Sequence, residues 1–175
     1  MSKFSIAFIA VLMIIGLKDV LGIADSTQYK ILAVDRSRIA VLPNDTSDFW
    51  IFPAGLQVVL TNDDFQEIEQ VLDSTINSYN AKQNLSYKKM VEKYPNLTVD
   101  KEQFIIDLSR YRRQYVAIIN QNADKEVWIN CFCNTFETNN WQSQNVEVID
   151  GGNCFFHLKI NLTKRMIYNF SVNGI

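Results

Sequence analysis

With 175 residues, nearly half of them apolar (47%) and a formal charge of −2, the chain has the length and composition of one folded domain with room for a real core. It carries no basic stripe longer than Arg110, Arg112 and Arg113, so it lacks the electrostatic footprint of a nucleic-acid binder. No repeat, low-complexity tract or long linker announces a second module.

The N-terminus reads as an address. Lys3 is followed by an uninterrupted apolar run from Phe4 to Leu17, closed by Lys18 and Asp19. That length suits the core of a signal peptide and falls short of the roughly 20 residues of a spanning helix. Small residues favour cleavage after Gly22, with Ala24 as the second choice, giving a signal peptide over 1–22 and a single domain over 23–175. No cysteine follows the cut to take a lipid, so a soluble periplasmic or extracellular protein is expected, with no membrane span after cleavage.

In the mature chain, Tyr29 to Leu42 is rich in Ile, Val and Leu and suits one strand or a bent pair around Asp35 to Arg38. Asn44 to Asp48 reads as a loop. Phe49 to Phe52 form an aromatic cluster that predicts a short strand or a plug docked on the core. Phe65, Ile68, Leu72, Ile76 and Tyr79 recur at three and four, behind an N-cap at Thr61 to Asp64 and a capping box between Asp64 and Glu67. The polar stretch that follows holds a possible short helix, Tyr87 to Tyr94, stopped by Pro95. Asp100 and Gln103 predict a second helix that ends near Arg110.

Beyond Arg110 the period changes to two. Tyr115 to Asn120, Lys125 to Cys133, Asn153 to Leu162 and Arg165 to Val172 predict four strands, with turns at Asn122 to Asp124 and at Thr163 and Lys164. Asp150, Gly151 and Gly152 predict a turn in which glycine supplies positive φ. The expected fold is therefore α+β, with two N-terminal-half helices on a four-stranded antiparallel meander, similar in shape to a cystatin-like roll. Alternation puts Val127, Ile129, Cys131, Cys133, Cys154, Phe156, Leu158, Ile160, Tyr168, Phe170 and Val172 on the inner face. The outer face then presents Trp128, Phe132, Phe155 and His157, the candidate binding residues, unless the long loop containing Trp141 folds over them.

An exported chain meets an oxidising compartment, and strand neighbours permit one disulfide. Cys133 with Cys154 closes the shortest loop, although strand parity allows Cys131 equally, and the alternative is that all three are buried core thiols. Zinc held by Cys131, Cys133, Cys154 and His157 conflicts with parity, since Cys154 and His157 lie three apart on a strand. His157 is the only histidine, and neither a nucleophile elbow, a zinc-protease helix nor a phosphate or dinucleotide loop occurs. No metal or cofactor is expected.

The segments Lys125 to Cys133, Asp150 to Leu162 and Phe170 to Gly174 resemble an uncharacterised family of small exported bacterial proteins of Bacteroidetes type. The resemblance implies an extracytoplasmic setting and transfers no catalytic residue. The function expected from the chain is a non-enzymatic exported module that uses its outer sheet face to bind a protein or a small ligand. The alternative is a thiol-dependent hydrolase built on Cys133 or Cys154 with His157.

Overall fold

A computed structural model describes residues 34–44, 50–133 and 139–174. The expected signal peptide lies outside these residues, as do most of the 44–48 loop and Phe49. Among the described residues there are six strands and one α-helix: β1 (Ile39–Val41), β2 (Leu56–Gln57), α1 (Asn62–Lys93), β3 (Tyr111–Ile119), β4 (Lys125–Cys133), β5 (Phe155–Asn161) and β6 (Met166–Val172). No described helix is long and apolar enough to cross a membrane.

Helix α1 overturns the first part of the expected fold. It runs for 32 residues, about 48 Å at 1.5 Å per residue. No glycine or proline interrupts 80–86, so the stretch that was expected to break carries the helix straight into Tyr87, and it ends only ahead of Pro95. The cap is also shifted by one turn. Thr61 is the N-cap and Asp64 completes the box, donors and acceptors matched in both directions. Glu67 instead pairs with Arg165 at 3.1 Å. Phe65, Ile68, Leu72 and Ile76 form the buried stripe, while Leu85, Met90 and Val91 in the last turns are exposed.

The second expected helix does not form. Asp100 and Asp107 each cap a single 3-10 turn, Lys101–Gln103 and Leu108–Arg110, by accepting the N–H two residues on. Between the turns the chain is pulled extended across α1. Asn80 donates to the Ile106 carbonyl at 2.7 Å and accepts the Ile106 N–H at 2.8 Å, supplying the backbone partners a helix would otherwise provide, and Ile106 is buried.

The sheet is mixed, in the order β1-β3-β4-β5-β6. The four long strands pair antiparallel in chain order. Two short strands extend the free edge of β3: β1 lies parallel against Arg113 to Tyr115, and β2 antiparallel against Ile118 and Ile119. A two-helix layer on a four-stranded antiparallel meander is thus replaced by one helix on a six-stranded mixed sheet. Within β6, Asn169 adopts φ 53° and the pairing with β5 slips between His157 and Lys159. This bulge rotates Tyr168 to the outer face, opposite Lys159, where it meets Glu126 rather than the inner core.

The sheet is covered on both sides. Under α1 the inner core gathers Tyr111, Tyr115, Val127, Ile129, Cys131, Phe156, Leu158 and Ile160. On the other face Leu42, Ile51, Phe52, Val116, Ile118 and Trp128 make a second cluster with Trp141 against it. Burial of both faces explains why β3 and β4 are apolar at consecutive positions, Tyr115 to Ile119 and Val127 to Ile129, where a half-exposed strand would alternate.

Candidate functional site

The outer face is roofed by the segment between β4 and β5, which two buried amides hold in place. Gln114 is fully buried on β3, and its Nε2 donates to the carbonyls of Trp141 (2.5 Å) and Gln144 (2.6 Å). Its Oε1 accepts from the Val146 N–H (2.9 Å) and from Asn130 Nδ2 (3.1 Å), and Asn130 donates its other proton to the Val146 carbonyl (2.7 Å). At the far end Asn173 Nδ2 donates to Val148 O at 2.6 Å, while Gly151 and Gly152 turn the chain into β5 with φ of 110° and 56°. A Cβ on Gly151 would lie 2.5 Å from the Phe155 ring, so that corner excludes a side chain as well as favouring glycine. The disulfide Cys133–Cys154, with Cα atoms 5.0 Å apart, clamps the root of the segment.

Gln114 anchors this roof through three hydrogen bonds and takes a fourth from Asn130, and Gln114→Leu is expected to cost about 2 kcal/mol, because the amide of Asn130 and the loop carbonyls lose buried partners. Hydrogen exchange should then rise at 144–148 while the amides of β4 stay protected. Equal exchange in both proteins would mean that the roof is held by its apolar contacts instead.

Beneath the roof lies a cleft of about 460 Å³. Its floor is Trp128 and Asn130 of β4 with Phe155 and His157 of β5. Residues 146–149 form one wall, Trp50 the opposite rim and Asn173 one end. The Trp50 ring stands edge-on to Trp128, centroids 5.5 Å apart at 90°, and is 45% exposed. Trp128 is 1% exposed, and its indole Nε1 has no hydrogen-bond acceptor. That is an uncommon state for a buried donor. His157 is half-buried; desolvation first, and then the charge of Lys159, lower its pKa, so the ring is neutral at pH 7. Lys159 itself is committed, its ammonium donating to the Ile51 carbonyl and lying over the Phe52 ring at 4.8 Å.

Of the residues singled out by sequence, Trp128, Phe155 and His157 meet in this cleft. Phe132 does not; it is buried beneath Trp141, ring centroids 5.9 Å apart. His157 is not brought together with any cysteine thiol. Cys133 and Cys154 are bonded to each other, and Cys131, on the inner face, is fully buried, which pushes its thiol pKa up. Gln114, a single polar residue at an outward position between Arg113 and Tyr115, and the alternating Val146, Glu147, Val148 within the loop belong to the site without forming any motif. A lone buried-strand amide beside a second outward amide, Asn130, is the signal that a loop must lie across them.

A second groove, about 500 Å³, runs along α1 past Met90, Leu97 and Phe104. It is more apolar and contains no unpartnered buried polar atom. Comparisons with protein-family models, curated proteins and solved structures found no match to this chain.

Proposed function

We propose that this chain is a non-enzymatic exported binding module that takes a small ligand in the cleft over its outer sheet face. The observation that carries the reading is the make-up of the cleft: a floor of Trp128, Phe155, Asn130 and His157 beneath a tethered loop, with the half-exposed Trp50 ring at its rim. The cleft volume falls within the range of about 300–1,000 Å³ usual for small-ligand sites. The exported setting rests on the apolar leader and on the disulfide, a bond that persists in oxidising compartments.

The test is a screen of uncharged small molecules against the full chain by ligand-observed NMR, with tryptophan fluorescence as the second readout. Hits should be lost in Trp50→Ala, whose ring is on the rim and can be removed without opening the core. Trp128→Ala and Phe155→Ala are unsuitable, since both rings are buried and their loss would cost about 3–5 kcal/mol as cavities. Hits that bind Trp50→Ala as well as the parent chain would place the ligand elsewhere and overturn the reading.

A further inference from the structure

The chemistry of the cleft lining narrows what it takes. Anions are disfavoured, since the ammonium of Lys159 is held by the Ile51 carbonyl and Glu147 contributes a carboxylate to the wall. Cations meet the like charge of Lys159, which sits beside His157 on the same strand face. A purely apolar molecule would strip water from the Asn130 oxygen and the His157 imidazole without replacing it. Around the aromatic floor, several uncharged hydrogen-bonding groups face no protein partner among the described residues. They are the side-chain oxygens of Asn130 and Asn173 as acceptors and the His157 imidazole, which can both donate and accept.

Resting on the cleft being a binding site, we infer that its ligand is a neutral saccharide, with the C–H face of a sugar ring against Trp50 and hydroxyls on Asn130, Asn173 and His157. A hydroxyl both donates and accepts, so it satisfies a mixed ring of donors and acceptors that no single-function group would. The axial C–H bonds of a sugar carry the slight positive charge that the negative face of an indole attracts. Trp50, with an exposed ring, and Ile149, 94% exposed on the opposite rim, leave the cleft open for a chain that continues past the first sugar.

The experiment titrates the full chain with three classes of probe, followed by saturation-transfer NMR and tryptophan fluorescence. The first is a panel of neutral hexasaccharides: α- and β-linked glucans, xylan, mannan and N-acetylglucosamine oligomers. The second is oligogalacturonate, and the third a set of uncharged indole and phenol fragments. At least one neutral hexasaccharide should bind, Trp50→Ala should weaken it at least about tenfold, and Trp50→Phe should restore most of the affinity. His157→Ala should weaken it as well, whereas oligogalacturonate should not bind. If only the aromatic fragments bind, and bind through Trp50, the saccharide assignment falls and the cleft remains a binding site. Tighter binding of oligogalacturonate than of every neutral chain also overturns the assignment. If no probe responds to Trp50→Ala, both the saccharide and the cleft are wrong.

Discussion

Glu69→Ala should destabilise the protein by about 3–5 kcal/mol, the cost of leaving one member of a buried ion pair uncompensated. Glu69 points from α1 onto the sheet, where its Oε2 lies 3.4 Å from Arg113 Nη2, with both side chains almost fully out of solvent. Its Oε1 accepts the hydroxyl proton of Tyr115, a residue with no exposure at all. Removing the carboxylate leaves Arg113 with only the Leu108 carbonyl at 3.4 Å, and with an Nε that already has no partner. The pair need not be a net gain, because two charges have been desolvated to make it. Replacing both residues, Glu69→Met with Arg113→Met, should therefore recover most of the loss. Urea unfolding of the two single variants and the double variant measures this directly. A Glu69→Ala change below about 1 kcal/mol would show that the pair is solvated in solution and contributes little. The consequence reaches the cleft, because Gln114 lies between Arg113 and Tyr115 on β3 and faces the other way. Tying β3 to α1 on one face fixes the strand that tethers the roof on the other.

The parts of this fold that were legible in the sequence are those fixed by local chemistry. The strands from β3 to β6 announce themselves by runs of β-branched and aromatic residues between turn signals, and the Gly151 and Gly152 turn by its glycines. Parity left Cys131 and Cys133 equal as partners of Cys154; loop length alone favoured Cys133, and the structure contains that pair. What failed depended on distant partners. Asp100 with Gln103 has the look of a helix start, but whether the helix propagates was decided by Asn80, 26 residues away, which captures the Ile106 backbone. The parallel pairing of β1 is invisible locally, since three residues, Ile39 to Val41, carry no periodicity. The Asn169 bulge is likewise silent in composition, and it was enough to move Tyr168 to the other face. At the candidate site, the aromatic residues were visible because they are large and alternate. The amides that hold the roof were not, because a buried Gln is recognisable only by what it binds.

Reduction of the Cys133–Cys154 bond should lower stability by about 3 kcal/mol, the loop-closure entropy restored to the unfolded chain for a sequence separation of 21. For a domain of this size that corresponds to a fall of roughly 6–12 °C in Tm. Cys133→Ala with Cys154→Ala should reproduce the shift in the absence of reductant. The loss will not be spread evenly, because the closed loop is the segment that roofs the cleft. The amides of 144–150 should lose protection before those of β3 and β4, since they depend on Gln114, Asn130 and Asn173 finding a segment whose ends are held together. Ligand affinity should consequently fall on reduction even at temperatures where the sheet is intact, as the roof pays an ordering cost that the disulfide had removed from it. An unchanged Tm with full reduction, verified by mass, would mean that the amide tethers alone order the roof. The cleft would then be set by β3 and β4 and not by the redox state of its compartment.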